Sequence, residues 1–260
     1  MSKYRARKRF GQHFLVDPAI IDAIVRTVHP NGDDIVVEIG PGQGAITDSL
    51  ARNAGHLHLV ELDRDLVAKL RQRYASAENV TVHEADALEF DFGSLGERIR
   101  VVGNLPYNIS TPLLFHLLRY RHHILDMHFM LQKEVVDRMA AQPGSKAYGR
   151  LGIMLGCYLG IESLFDVPPE AFNPPPEVMS AVVRLDPLPP GTYDIDDDAA
   201  LSTLVSHAFM QRRKTLRNSL KKDAEAADFD AVGINAGLRP EQVSIADYVH
   251  LSNHLRRKSR

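Results

Sequence analysis

The sequence predicts an α/β fold in which a mainly parallel sheet is covered by helices on both faces and a small all-helical domain follows. Three observations predict it. Short runs rich in Val, Ile and Leu alternate with helical stretches from about residue 30 to residue 187. A linker, Leu188-Pro189-Pro190-Gly191, comes next. Beyond it apolar residues recur at helical spacing without strand-like runs.

The runs Asp34–Ile39, His58–Leu62, Val80–His83, Ile99–Val102, Met127–Leu131 and Ala181–Leu185 have the length and composition of buried strands. Ala45–Asn53 and Arg64–Tyr74 read as the helices between the early ones. Asp17-Pro18 opens a first helix, with a capping carboxylate followed by proline where a helix spares its N–H. Thr111-Pro112 repeats that pattern. After the linker, Asp197–Met210, Lys214–Lys222, Ala224–Asn235 and Ile245–Arg256 read as helices, and Ser244 with Asp247 reads as a capping box. The expected domains are residues 1–187, with 1–16 as a basic arm, and residues 192–260.

A chain of 260 residues with 44% hydrophobic and 25% charged residues can bury a full core, which sets aside disordered and fibrous classes. No apolar run approaches the roughly 20 residues of a membrane span. The charged N-terminus has no secretory apolar region, so a cytoplasmic, membrane-free protein is expected, and a monomer. Cys157 is the single cysteine, which excludes an intrachain disulfide, and its apolar neighbours predict plain burial. No metal site is read.

The net charge of −2 conceals polarisation. Fifteen of the 31 Lys and Arg lie in three acid-free blocks, as a phosphate-binding surface requires. They are Lys3, Arg5, Arg7, Lys8 and Arg9; Arg212, Arg213, Lys214, Arg217, Lys221 and Lys222; and Arg256, Arg257, Lys258 and Arg260.

The chemistry lies at strand ends. Val37-Glu38-Ile39-Gly40-Pro41-Gly42-Gln43-Gly44-Ala45 runs a buried strand into a glycine turn and a helix, where backbone can approach a ligand and free N–H groups face it. Glu61, about 20 residues on, ends the next strand, where an acid can hold two ribose hydroxyls. Asp86 ends the third and can accept from an adenine amino group. The loop also satisfies G-x-G-x-x-A, so a nucleoside-bearing cofactor is implied and its identity stays open.

Asn104-Leu105-Pro106-Tyr107 follows the fourth strand. An adenine amine is a poor nucleophile because its lone pair is delocalised into the ring. The Asn104 amide oxygen and the Leu105 carbonyl can both accept from its N–H bonds, drawing the nitrogen toward tetrahedral geometry. Pro106, with φ locked and no donor to satisfy, sets that carbonyl inward. Tyr107 offers a ring for the base, a stack worth roughly 1–3 kcal/mol.

With these motifs in this order, the chain resembles the ribosomal RNA adenine N6-dimethyltransferases, which comprise the small-subunit (KsgA-type) and macrolide-resistance (Erm) enzymes. The likeness extends to Phe10–Leu15, Gly103–Leu118, Met130–Val136, Val167–Leu185 and Phe209–Leu220, nearly the whole chain, and the pieces around Phe172 and Gln211–Thr215 are closer to the small-subunit branch. The resemblance implies a Rossmann-like class I methyltransferase with a mainly parallel seven-stranded sheet, plus the small all-helical C-terminal domain for RNA. It implies S-adenosyl-L-methionine as cofactor. Gln12, His13 and Leu15 would cover its methionine end, His13 standing where the family often has Asn. Gly40, Gly42 and Leu62 would lie against it, Glu61 at the ribose, Asp86 and Ala87 at the adenine, and Asn104 at both cofactor and target. Phe172, held by Pro168, Pro169 and Pro174–Pro176, would be a second aromatic wall opposite Tyr107, and Arg212–Lys222 would hold RNA backbone. The partner implied is small-subunit RNA in an immature 30S-type particle, methylated on two adjacent adenosines of a hairpin near the 3′ end. A nicotinamide oxidoreductase would explain the glycine loop and Glu61 but not Asn104–Tyr107. A non-catalytic RNA-binding assembly factor would explain the charge but not the intact cofactor residues.

Overall fold

The computed structural model describes residues 13–258. In chain order it begins with β1 (Phe14–Leu15), α1 (Pro18–Val28), β2 (Ile35–Ile39), α2 (Thr47–Asn53), β3 (His56–Glu61), α3 (Arg64–Arg73), β4 (Val80–Glu84), β5 (Ile99–Asn104), α4 (Ser110–Leu118) and β6 (Ile124–Gln132). Then come α5 (Lys133–Met139), α6 (Arg150–Gly156), β7 (Leu159–Val167), β8 (Phe172–Asn173) and β9 (Ser180–Pro187). The sheet has seven strands in the order β4-β3-β2-β5-β6-β9-β7, parallel from β4 to β6, with β9 antiparallel to β6. β1 and β8 form a separate antiparallel pair.

Each strand read from the sequence is present. β7 is the seventh strand that the resemblance implies in number and that no apolar run of the sequence locates. It is an edge strand carrying Glu162, Ser163 and Asp166, so it lacks the continuous apolar signature of a central one. Asp17 caps α1 through the Ala19 and Ile20 amides, as its sequence grammar indicates. Thr111 does not cap α4. The helix starts at Ser110, whose hydroxyl donates to the Tyr107 carbonyl, and Pro112 sits within the first turn, where N–H groups have no intrahelical partner.

Packing divides the chain into two units. One runs through Val136 and over Glu162–Pro187; the other comprises Asp137–Ile161 and the chain from Leu188 onward. The expected boundary at residue 187 therefore misses one feature: Asp137–Ile161 belongs with the helical unit. The cause is packing, since Tyr148, Ile153, Met154 and Cys157 lie in one apolar core with residues of α7 (Asp198–Met210), α8 (Leu216–Ser219), α9 (Ala226–Ala231) and α10 (Ile245–Lys258). Cys157 is buried there, and burial pushes its thiol up to about 12. Asp197 caps α7 through Ala199 and Ala200. At α10, Asp247 N–H donates to Ser244 Oγ, while that hydroxyl donates to the Asp247 carboxylate. Among the described residues no helix is long and apolar enough to cross a membrane.

The first unit contains one buried ion network. Arg100 on β5 bonds Asp126 of the neighbouring β6 through Nε and Nη2, at 3.1 and 2.8 Å, and reaches Asp34 through Nη1 at 2.9 Å. Burial alone would raise the Asp126 carboxyl, but His128 and Arg100 win and hold it below its ordinary value. Arg100→Ala takes the guanidinium from the buried Asp126, while Asp34 keeps its Asn31 donors, and is expected to destabilise the unit by about 3 kcal/mol, read by urea unfolding. A loss typical of an exposed pair, about 0.5 kcal/mol, would mean water screens the network.

Candidate active site

The carboxyl ends of β2, β3, β4 and β5 open into a cleft of about 420 Å³, where the order of parallel strands reverses. Gly103 is needed for it: a Cβ there would stand 2.6 Å from the Ile39 carbonyl oxygen, so only glycine lets β5 lie this close to the end of β2. Gly40, Gly42 and Gly44 then turn the chain with φ of 65°, 58° and 84°, values L side chains rarely adopt.

This turn and the end of β3 fix one carboxylate. Glu61 accepts from the Gly42 amide at 3.2 Å and the Asp63 amide at 2.8 Å. Burial raises its pKa, and these amides oppose the rise. Asp86 and Ala87 line the cleft beyond β4, and Asp86 Oδ1 accepts from the Leu88 amide at 2.9 Å, which sets the turn. Leu62 lies on the rim, 49% exposed, and Leu15 lines the opposite side, buried.

Asn104 ends β5. Its amide nitrogen donates to the His13 carbonyl at 3.0 Å, which leaves its oxygen as the acceptor. Among the described residues no hydrogen bond claims that oxygen or the Leu105 carbonyl. The Leu105 amide donates to the Met130 carbonyl, anchoring the tetrapeptide to β6. Pro106 and Tyr107 line the same cleft. The Tyr107 hydroxyl shares a hydrogen bond with Ser180 at 2.8 Å, and burial keeps the phenol above its ordinary pKa, hence neutral.

Of the expected residues, one is not described and one falls elsewhere. Gln12 lies outside the described residues. Phe172 does not line the cleft: it is 4% exposed and packed among Leu15, Ile24, Val182 and other core residues. Its backbone pairs with Leu15 in the β1–β8 ladder, which turns the ring into the core and makes it a brace for the segment bearing His13. Conversely, Ser180 and Glu38 belong to the site. Ser180 stands 73 residues from Tyr107, a partnership no local spacing announces. Glu38 lies in the buried strand of the glycine motif, where the sequence assigns it no role of its own.

Glu38 is the electrostatic anomaly. It lines the cleft, is 3% exposed, and its Oε2 has no partner among the described residues. Burial raises its pKa to about 8, countered by Thr47 and reinforced by the charges of Glu61 and Asp48. Unfolded, its ordinary value is 4.5, so the folded chain holds a proton that the unfolded chain releases between pH 4.5 and about 8. The carboxyl therefore subtracts stability as pH rises through that window. Thermal unfolding should show Glu38→Gln gaining on the unliganded wild type from pH 5 to pH 8. An unchanged difference would contradict the raised pKa.

In the helical unit, Arg213, Lys214, Arg217, Lys221 and Lys222 are exposed. Arg217 lies in α8, which spans four residues rather than the expected Lys214–Lys222, and the others lie on the turns flanking it. Arg212 differs. It donates to the Lys146 carbonyl at 2.6 Å and pairs with Glu241, so it anchors the turn. The tail cations Arg256, Arg257 and Lys258 pair with Asp197, Asp196 and Asp228, and so tie α10 to its neighbours. The block at residues 1–9 and Arg260 lie outside the described residues.

A family model described as ribosomal RNA adenine dimethylase matches residues 3–257. A ribosomal RNA small subunit methyltransferase A of Aromatoleum aromaticum is 56% identical over 259 residues, covering 100% of this chain and 97% of the relative. Among solved structures, a dimethyladenosine transferase from Plasmodium falciparum superposes with a TM-score of 0.81 at 25% identity, over 95% of this chain and 98% of that one. The 23S rRNA methyltransferase ErmE gives 0.76 at 25% identity, over 94% and 99%. With the glycine turn, its acid anchors and the Asn104–Tyr107 motif assembled around one cleft, the chain belongs to the ribosomal RNA adenine dimethylase family.

Proposed function

We propose that the chain transfers methyl groups from S-adenosyl-L-methionine to the N6 amines of two adjacent adenosines in a hairpin near the 3′ end of small-subunit ribosomal RNA. Each would become N6,N6-dimethyladenosine within an immature 30S-type particle, with a cytoplasmic monomer as the catalyst. The full-length similarity to small-subunit enzymes supports this choice over the large subunit.

The residues suit the cofactor. Glu38 Oε2 is a buried acceptor in need of a cationic donor, such as an α-ammonium group. Glu61, already oriented by two amides, offers both oxygens to a ribose diol. Asp86, Ala87 and Leu62 suit an adenine, and the positive-φ glycines let the chain pass close to it. When bound, the cofactor supplies an electrophilic methyl on a sulfonium.

Everything else falls to the chain. The observation that carries the reading is the pinned amide: His13 holds the Asn104 nitrogen, so the Asn104 oxygen and the Leu105 carbonyl are the acceptors for a target amine. Both are neutral and fixed, so they favour the nitrogen as it gains positive charge without reorganising. Tyr107, braced by Ser180, carries the base, which must be unstacked to enter. Holding the amine at near-attack distance supplies most of the rate. No general base is required, because the alkylated nitrogen is acidic and its proton leaves to water.

Labelled S-adenosylmethionine, offered with unmethylated small and large ribosomal subunits in parallel, should mark two neighbouring small-subunit adenosines. Label confined to the large subunit would reject the target. Asn104→Ala should lower kcat by about a hundredfold and spare RNA affinity, and Tyr107→Ala should also be crippled. Wild-type turnover by both would refute the mechanism.

The exposed cations around α8 suit RNA phosphates. Neutralising Arg213, Lys214 and Arg217 together is expected to weaken RNA binding to all sequences alike. The slope of log affinity against log salt should become shallower by about 0.7 to 0.9 per lost phosphate contact. An unchanged slope would assign these residues to ordinary surface.

A further inference from the structure

The glycine turn at residues 40–45 is held from two sides. On the cleft side the Gly42 amide donates to Glu61, whose other oxygen accepts from the amide of Asp63, the cap of α3. The outer side is held from the far end of the same helix. Arg73, the last residue of α3, donates from Nη1 to the Gln43 carbonyl at 3.1 Å. Its Nη2 pairs with the carboxylate of Asp48, in the first turn of α2. The next residue, Tyr74, donates its hydroxyl to the other Asp48 oxygen at 2.7 Å. Burial and that hydrogen bond raise the phenol's pKa, so it stays a donor. The Arg73 guanidinium carbon also lies 5.7 Å from the Tyr74 ring centroid, which limits where the fork can swing. Gly44 completes the fit, because a Cβ there would stand 2.9 Å from Arg73 Nη1. The junction needs this help. Ile46, at the cap of α2, offers no side-chain hydrogen bond, and three glycines give the turn wide conformational freedom.

We propose that Arg73 is a positioning residue for cofactor binding: its fork ties the Gln43 carbonyl to Asp48 and holds the glycine turn in the shape that receives S-adenosylmethionine. α3 then governs the turn from both ends, through the Glu61–Asp63 contact and through Arg73. Arg73 does not line the cleft, so it acts through the turn and not by touching a ligand. The effect is one of preorganisation, since the empty turn keeps its binding shape instead of spreading over the states that glycines allow. Without the clamp the binding-competent fraction falls, and the apparent dissociation constant rises in inverse proportion. The Arg73–Asp48 pair is itself half-exposed, so water screens it and its loss costs the fold little. The signature therefore lies in cofactor affinity and not in stability. This inference rests on the assignment of the glycine turn to S-adenosylmethionine, which calorimetry on the wild type tests independently.

The experiment compares Arg73→Ala, Asp48→Asn and the double variant with the wild type. S-adenosylmethionine affinity is measured by calorimetry, and stability by thermal unfolding. KM for the cofactor, KM for the particle and kcat are measured on unmethylated small ribosomal subunits. Arg73→Ala is expected to weaken cofactor affinity and raise cofactor KM by about tenfold. At saturating cofactor, kcat and KM for the particle should stay within about twofold of the wild type. The unfolding midpoint should fall by no more than about 4 °C. Asp48→Asn keeps an acceptor for Tyr74 but removes the charge that Arg73 grips. It should cause a smaller loss of cofactor affinity, and the double variant should be no worse than Arg73→Ala alone. Additive losses would show two unrelated effects and overturn the clamp. So would unchanged cofactor affinity in Arg73→Ala, or a joint fall in kcat, particle affinity and unfolding midpoint, the mark of general damage. If the wild type failed to bind S-adenosylmethionine, the assignment of the turn itself would fail, whatever Arg73 did.

Discussion

The site depends on how closely the ends of β2 and β5 approach each other. With 2.6 Å between the Ile39 carbonyl oxygen and any Cβ at position 103, the two strands can meet only through glycine. Their neighbours in the sheet then lie to opposite sides, β3 and β4 on one, β6 and β9 on the other, and the chain leaves a crevice between the two departures. The glycine turn leaves from β2 and the Asn104 motif from β5, so the groups suited to a cofactor and those suited to an amine are neighbours by construction. Neither set needs a loop to fold over before it is in place.

Electrostatics sharpen the arrangement. Two carboxyls, Glu38 and Glu61, are buried in the same cleft; burial raises the cost of ionising each, and the charge of Glu61 raises it further for Glu38. Glu61 recovers part of that cost through backbone amides, whereas Glu38 keeps an oxygen with no described partner. A protein selected for stability alone would place an apolar side chain there, as it does at Val36 and Val102 on the same and adjacent strands. An unsatisfied buried acid is tolerable where a cationic ligand completes it, and it stores a preference for such a ligand in the empty fold.

What the sequence made legible follows the range of the interactions. The central strands, the Asp17 cap, the Ser244–Asp247 capping pair and the glycine turn announce themselves within a few residues, because periodicity, capping and positive φ are local properties. The Asn104–Tyr107 motif is equally local. What escaped is long-range. Ser180 and Tyr107 meet across 73 residues, β7 hides its strand character because its edge position admits charged residues, and Asp137–Ile161 joins a core assembled mostly from beyond residue 188. Phe172 shows the opposite failure. Its proline-rich context was legible, but a two-residue pairing with Leu15 decides where the ring points, and no periodicity reports a ladder that short. Likewise the basic block reads as uniform in sequence, whereas Arg212 is tied to Lys146 and Glu241 and its neighbours are exposed.

The pinned Asn104 amide also bears on how one pocket could carry out two successive transfers on the proposed reading. A primary amine has two N–H bonds for the Asn104 and Leu105 oxygens; after the first methylation one remains. The Asn104 side chain cannot turn to offer its nitrogen instead, because His13 retains it. Adaptation must come from the substrate, by rotation about the bond joining N6 to the ring, so that the remaining N–H faces one acceptor and the lone pair returns to the methyl donor. That rotation breaks the conjugation which makes the amine inert, and the stack on Tyr107 keeps the ring still while it happens. A second transfer therefore needs no movement of the protein, only a site wide enough for one methyl group beside a fixed carbonyl.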